Sequence, residues 1–141
     1  IGSRGVRDPQ LFTTVHCVTM IGAEVFVCDR NNSRIQIFKP DGTYLREIFY
    51  NRGMAGAAGS TWDAAPVPGK PNLILALDGV NSEFALLDTK TGAVSASYQN
   101  KGRYAGQMHW PHQVAIDREG RLYIAEVGGA ARIQRFAPGP R

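Results

Sequence analysis

Arg34–Phe38, which reads RIQIF, decides the fold because it returns near the end of the chain as Arg132–Phe136, which reads RIQRF. A short apolar run that closes on an acidic residue precedes each copy, and a degenerate copy lies between them. The acidic residues are Asp29, Asp78 and Glu126, so successive units are 49 and 48 residues apart. A fixed period of this length is typical of repeated supersecondary units, and the chain is predicted to be a repeat protein.

Each unit has the sequence texture of β-structure, with short alternating or wholly apolar runs bounded by Gly, Pro, Asn or Asp. No segment shows sustained helical periodicity. Four antiparallel strands in a unit of about fifty residues predict an all-β partial β-propeller. We expect one domain, 1–141, with blades at about 11–50, 60–99 and 110–138. The predicted strands are 13–19, 24–29, 34–39, 43–50, 61–66, 72–78, 83–89, 93–99, 112–117, 121–127 and 132–137.

The ends of the chain do not complete a ring. The third unit holds three predicted strands, and residues 1–10 are rich in glycine and charge, like an inter-blade loop cut in its middle. We therefore expect the C-terminal part of a longer protein, with about three blades of a ring that typically needs four to eight. Such an arc exposes an apolar blade face at each end, which predicts either missing blades or self-association into a dimer or aggregate.

Composition argues against two kinds of partner. The 141 residues carry 16 Lys and Arg against 12 Asp and Glu, a formal net charge of +4. These cations are scattered without a run of five, which indicates a solvated surface, and a nucleic-acid partner is not expected. No stretch approaches the ~18 consecutive apolar residues of a membrane span.

The two cysteines, Cys17 and Cys28, fall on neighbouring predicted strands of the first blade. The turn between them suggests that they are not directly opposite, so two buried free thiols are predicted. A disulfide or a metal role is the less favoured alternative, because the chain has no CxxC spacing.

A family resemblance follows from the repeats. Residues 27–38, which read VCDRNNSRIQIF, resemble an NHL repeat, and residues 111–126, which read PHQVAIDREGRLYIAE, resemble the start of another. The resemblance spans essentially the whole chain and is closest to the C-terminal half of bacterial NHL-repeat, six-bladed propeller proteins, many of them exported. It implies a periplasmic or extracellular scaffold that binds a protein, peptide or small molecule. The chain is also similar to the lyase domain of peptidylglycine α-amidating enzymes, which shares this propeller.

The similarity to the amidating lyase implies a catalytic zinc in the central cavity. That family binds zinc with three histidines, each on the innermost strand of a different blade within a Pro-His-x-x-x-x-Asp type segment. His16 and His112 match two of these positions and are candidate zinc ligands, 96 residues or about two blade periods apart. The third ligand and the catalytic Tyr and Arg would fall before residue 1 or find no match. The family's proline is kept at Pro111 and replaced by Val15, and Trp110 stands where the family has methionine.

The remaining polar and aromatic residues near these positions have mainly structural interpretations. A lone histidine at the start of an inner strand is often hydrogen-bonded to a backbone carbonyl, which is the alternative for both candidate ligands. His109 is expected in a loop, exposed or at the channel rim. The candidate channel-lining residues are Trp62, Asp63, His109 and Trp110, and the favoured interpretation of Asp63 is a turn cap beside a packed Trp62.

The cluster Asp29, Asn32 and Arg34 is predicted to be part of the repeat architecture, with the arginine paired to an acidic residue, and Glu126 and Arg132 repeat that pattern. The chain contains no phosphate-binding glycine loop, no Gly-x-Ser-x-Gly elbow and no HExxH motif. The favoured function is therefore an NHL-type binding scaffold. The alternative is a zinc-dependent amidating-type lyase, and RNA binding, known for some NHL domains, is the least favoured.

Overall fold

The computed structural model describes residues 11–54 and 58–139, which form three antiparallel sheets. The predicted inter-blade loop at residues 1–10 lies outside the described residues. The all-β partial propeller is confirmed, and no helical segment in the described ranges is long and apolar enough to cross a bilayer. The strands are β1 (Val15–Ile21), β2 (Glu24–Asp29), β3 (Arg34–Phe38) and β4 (Tyr44–Phe49) in blade 1; β5 (Asp63–Pro66), β6 (Leu73–Asp78), β7 (Glu83–Asp88) and β8 (Val94–Gln99) in blade 2; and β9 (Pro111–Ile116), β10 (Leu122–Glu126) and β11 (Arg132–Phe136) in blade 3.

The strands of each blade lie in chain order, and the first strands of the blades contact one another, β1 with β5 and β5 with β9. These three strands are therefore innermost. Strand β6 explains why blade 2 sits between the others. Its successive side chains point to opposite faces, so Ile74 and Ala76 pack against blade 1 while Leu75 and Leu77 pack against blade 3. A continuous apolar run is what a strand buried on both faces requires.

A buried polar network ends the second strand of blade 1. The Asp29 carboxylate accepts hydrogen bonds from Arg34 Nε at 2.9 Å and Asn32 Nδ2 at 2.7 Å, and from the backbone N–H groups of Thr13 and Thr14. Arg34 also pairs with Glu47 at 2.9 Å. The structural interpretation of this cluster is therefore correct.

Blades 2 and 3 carry variants of the same network. Asp78 accepts hydrogen bonds from the side chains of Asn81 and Asn51. In blade 3, Glu126 pairs with Arg132 at 3.3 Å. In blades 1 and 2 the acidic residue thus anchors the turn that follows it, whereas in blade 3 it contacts the strand after that turn.

The two cysteines form a disulfide, so the prediction of free thiols is wrong. The register explains the error. Ile21 pairs directly with Glu24 across a two-residue turn, and counting back equally along both strands brings Cys17 opposite Cys28. Their Cα atoms are 4.9 Å apart, within the range that a disulfide spans.

Candidate functional site

Both candidate histidines are the extra residues of matching β-bulges. In blade 1, Val15 pairs with Asp29 and Cys17 pairs with Cys28, which leaves His16 between them without a cross-strand partner. A bulge bends its strand and redirects a side chain, and bulges are frequent beside active sites.

Blade 3 repeats this irregularity. Pro111 pairs with Glu126 and Gln113 pairs with Ala125, so His112 is the residue left over. In the middle blade the equivalent position is Trp62, which directly precedes β5. The three blades therefore direct one aromatic ring each toward the same end of the innermost strands.

The three rings meet. The His16 and His112 ring centroids are 4.9 Å apart, and each histidine contacts Trp62, with centroid distances of 5.5 and 5.3 Å. Trp110 packs edge-on against Trp62 at 5.7 Å. The Arg30 guanidinium lies over the Trp62 ring. We call this group of residues the axial cluster: His16, Arg30, Trp62, Trp110 and His112.

A hydrogen bond fixes the orientation of the His16 ring. Its Nδ1 contacts the backbone carbonyl oxygen of Trp62. Because a carbonyl only accepts hydrogen bonds, Nδ1 must carry a proton, so Nε2 is the nitrogen that holds the lone pair in the neutral ring. Metal-binding histidines are commonly oriented in this way. The structural interpretation predicts the same hydrogen bond, so the contact positions the ring without assigning it a metal.

Arg30 is a member of the cluster that the sequence analysis missed. Its guanidinium carbon lies 4.8 Å from the centroid of the Trp62 ring, a cation–π contact. Its Nε is buried and, within the described part of the chain, has no hydrogen-bond partner. The equivalent positions after the acidic residues of blades 2 and 3 are Gly79 and Val127, so this cation breaks the repeat.

The cluster favours a neutral His112. Burial lowers the pKa of this imidazole below its ordinary value, and the charges of His16 and Arg30 lower it further, against an opposing effect of Asp63. At neutral pH the ring therefore retains a lone pair on one nitrogen, which a metal ion or a hydrogen-bond donor requires.

Asp63 links two innermost strands rather than capping a turn. It begins β5, and its carboxylate accepts the N–H of Ala64 at 2.9 Å and the N–H of Val114 on β9 at 2.8 Å. Burial raises the pKa of this carboxyl, although both hydrogen bonds and the charges of His16 and His112 act in the opposite direction.

Replacing Asp63 by asparagine is therefore expected to change how stability depends on pH. A raised folded pKa means that the carboxyl contributes stability below its unfolded pKa and loses it as the pH rises through the folded value. Asparagine can still accept the Val114 N–H but cannot ionise. In urea unfolding from pH 3 to pH 7, the free energy of unfolding of Asp63→Asn should therefore increase relative to that of the wild type as the pH rises.

Asp41→Asn is the control for this titration. Asp41 is exposed, and the hydrogen bond from the Thr43 N–H lowers the pKa of its carboxyl. That substitution should lose stability relative to the wild type as the pH rises, which is the opposite trend. Parallel curves for Asp63→Asn and the wild type would contradict the proposed burial effect.

Trp110 and His109 lie in the loop that enters blade 3. Trp110 is 43% exposed and has φ of 54°, a left-handed conformation that is unusual for a bulky residue and often found at functional sites. His109 is half-buried, and its backbone N–H donates to Glu126. No ring contact joins it to the axial cluster among the residues described, so His109 is a suitable control for the other two histidines.

The donors present fit part of a zinc site. Catalytic zinc uses three protein ligands, and within residues 11–54 and 58–139 no group of three His, Cys, Asp or Glu side chains could hold a metal ion. Cys17 and Cys28 are bonded to each other and provide no thiolate. His16 and His112 would therefore need a third ligand from outside the described residues.

One curated relative resembles most of this chain. NHL repeat-containing protein 3 of Mus musculus is 30% identical over 137 residues, which is 92% of this chain. The chain spans only 37% of that relative's length. No protein-family model matches the chain.

Three solved structures share this fold at low sequence identity to this chain. A Bacteroides fragilis protein whose name describes it as exported has a TM-score of 0.64 at 12% identity, over 94% of this chain and 37% of its own. A Myceliophteria thermophila β-propeller domain has a TM-score of 0.62 at 11% identity, over 89% of this chain and 38% of its own. Virginiamycin B lyase from Staphylococcus aureus has a TM-score of 0.58 at 14% identity, over 96% and 44%. These comparisons confirm the resemblance to NHL-repeat β-propellers, whereas the similarity to the amidating lyase stays a prediction.

Proposed function

From the resemblance to NHL-repeat propellers, we propose that this chain forms the ligand-binding part of an exported β-propeller protein. The ligand is a peptide or small molecule with a carboxylate, held at the axial cluster. One observation carries this proposal: two histidines, two tryptophans and an arginine from three blades converge at one end of the innermost strands. The whole protein, with six blades as the family resemblance implies, would supply the rest of the cavity.

Arg30 suggests the carboxylate. A guanidinium offers five N–H donors in a planar fork that matches a carboxylate. Stacking on Trp62 holds that fork in place, and its buried Nε is a donor that a bound anion would satisfy. The two imidazole rings and the exposed Trp110 ring would contact the less polar part of the ligand.

The disulfide supports export. Disulfides form and persist in oxidising compartments and are rare in the cytosol. The Cys17–Cys28 pair joins two strands of one blade and lies in its core, so it has the position of a structural crosslink. The fold neighbour with a name that describes it as exported agrees with this proposal.

Tryptophan fluorescence tests the binding proposal because Trp62 and Trp110 are the two tryptophans of the chain. Titration with short peptides that carry a free C-terminal carboxylate should change the emission, and the same peptides with an amidated C-terminus should have little effect. Arg30→Gln should abolish the response. Arg52→Gln is the matched control, because Arg52 stacks on Phe49 at 4.5 Å outside the cluster. Equal responses to acid and amide peptides would contradict the proposal.

The second candidate function is a zinc-dependent lyase, and the close approach of the His16 and His112 rings favours it. His16 and His112 would hold the ion through their unprotonated nitrogens, with a third ligand from elsewhere in the protein. A zinc ion at such a site supplies Lewis-acid polarisation of a substrate oxygen. In this chain, Arg30 would orient the substrate carboxylate, and Trp62 would fix the His16 ring.

Zinc titration separates this alternative from simple ligand binding. We expect one weak site, because two imidazoles leave zinc largely open to water. The His16→Ala/His112→Ala double variant should lose it, whereas His109→Ala should keep it. Isothermal titration calorimetry measures the binding. If the double variant binds zinc as well as the wild type does, the zinc is held by other groups.

The outer faces of blades 1 and 3 predict self-association of this chain. Val18 on β1 is 68% exposed and Ile133 on β11 is 74% exposed, on the faces that no described blade covers. Apolar patches of this kind promote association. Sedimentation velocity at micromolar concentration should show a dimer or larger species, which Val18→Lys/Ile133→Lys reduces. Val94→Lys, on the outermost strand of blade 2, is the control, and a monodisperse wild-type monomer would contradict the prediction.

A further inference from the structure

The disulfide lies directly behind one of the two bulged histidines. Cys17 follows His16 on β1, and the bond ties it to Cys28 on β2 at the first regular pair after the bulge. Cys28 is fully buried, and Cys17 is 9% exposed. In blade 3 the equivalent pair is Gln113 and Ala125, which share no covalent bond.

The two bulges differ in a second way. His112 is preceded by Pro111, whose ring fixes φ near −65°. His16 is preceded by Val15, which imposes no such restriction. Each bulge residue lacks a cross-strand partner, so its direction depends on the residues beside it. In blade 3 the proline ring restrains the backbone just before His112. In blade 1 the disulfide restrains the residue just after His16.

We propose that the Cys17–Cys28 disulfide is a positioning element for His16, so that the axial cluster is assembled only in the oxidised chain. Cys17 and Cys28 contact no ligand themselves and act through the direction of the neighbouring ring. The consequence for ligand binding rests on the proposed function, whereas the positioning of the ring does not.

The oxidation step requires an external disulfide. In thiol–disulfide exchange the two thiols of Cys17 and Cys28 lose two electrons and two protons and become one disulfide, and the external disulfide takes up both and becomes two thiols. Oxidising compartments supply such reagents. Because both sulfurs are buried in the core between blades 1 and 2, the bond is protected from reduction once the blades have packed.

Nuclear magnetic resonance tests the positioning without any ligand. In the oxidised wild type, the His16 Nδ1–H should give a protected signal, and the His16 and His112 ring protons should show a mutual nuclear Overhauser effect. Both signals should be lost or weakened several-fold in Cys17→Val/Cys28→Val, in which apolar side chains fill the space of the disulfide. Zinc chloride provides the second readout, with an affinity that falls about tenfold in the variant, as for other groups that orient metal ligands.

Two further variants keep the test decisive. Ile37→Val lies in the same core between the blades and should lower stability while leaving both signals unchanged. Pro111→Ala keeps the disulfide and should disturb the His112 ring signals while the His16 Nδ1–H signal stays, and this comparison remains available if the cysteine variant does not fold. Unchanged His16 signals in the folded cysteine variant, or a loss of the His16 signal in Pro111→Ala, would overturn the proposal. A wild type that binds neither zinc nor carboxylate peptides would refute the proposed function but not the positioning.

Discussion

Replacing Asp29 by alanine is expected to lower the free energy of unfolding by about 3–5 kcal/mol, the cost of breaking a buried ion pair by removing one partner. Asp29 is fully buried, and the Arg34 side chain is 1% exposed. The substitution leaves the buried guanidinium without this carboxylate, though still paired with Glu47, and it removes an acceptor of the Asn32 amide. Urea unfolding followed by circular dichroism measures the loss.

Glu24→Ala is the matched control in the same blade. Glu24 also pairs with an arginine, Arg46 at 2.6 Å, but this carboxylate side chain is 36% exposed. Exposed pairs contribute about 0.2–1 kcal/mol, so the control should lose little. The double variant Asp29→Ala/Arg34→Met should recover part of the stability, because it also removes the buried charge. Similar losses in Asp29→Ala and Glu24→Ala would contradict the assignment of the cost to charge burial.

The fold was predictable because it depends on features that repeat. The acidic residue recurs at every blade period and the RIQ strand returns after two periods, and each recurrence indicates the same strand pairing. The convergence of His16 and His112 followed from the same argument, since equivalent positions in a propeller lie at the same end of the innermost strands. The repeat therefore carried both the architecture and the location of the candidate site.

What the repeat does not contain was harder to predict. The disulfide was missed because it depends on the exact length of one turn, and a difference of one or two residues there changes which residues of β1 and β2 are opposite. Arg30 was missed because it occupies a position where the other blades have Gly79 and Val127. Its signal was the break in the repeat, which a search for common residues passes over. The most specific features of the axial cluster are thus those that differ between blades.

Gly79 shows how such a difference shapes the cluster. A Cβ atom at this position would lie 2.6 Å from the Trp62 ring and 2.7 Å from the Pro111 carbonyl oxygen. The absence of a side chain after Asp78 therefore makes room for the indole of the same blade. Arg30 covers Trp62 in a cation–π contact. At the position after the acidic residue, blade 2 has Gly79, which leaves room for the indole, and blade 1 has Arg30, which contributes a charge.

A second glycine, Gly59, sets the approach between blades 1 and 2, and its replacement by alanine is the second large effect that we expect. Gly59 has φ of 70°, and a Cβ atom there would lie 1.7 Å from the backbone carbonyl oxygen of Arg30. Backbone atoms cannot yield as a flexible side chain does, so the two segments must separate. Left-handed strain of about 1–2 kcal/mol adds to the clash, and we expect a total loss of about 4 kcal/mol or more, within the exceptional range for single substitutions.

Gly22→Ala separates the two contributions to the loss at Gly59. Gly22 has φ of 59°, yet an added Cβ there would meet nothing within 4 Å, so only the left-handed strain should appear. Gly59→Ala should also disturb the axial cluster, because the Trp62 indole N–H donates to the Gly59 carbonyl and the clash is with Arg30. Tryptophan emission of the folded variant should shift, whereas that of Gly22→Ala should match the wild type. Equal stability losses in the two variants would show that the loop and the Arg30 backbone are not in close contact. The axial cluster would then lack the rigid support that this contact gives to both Trp62 and Arg30.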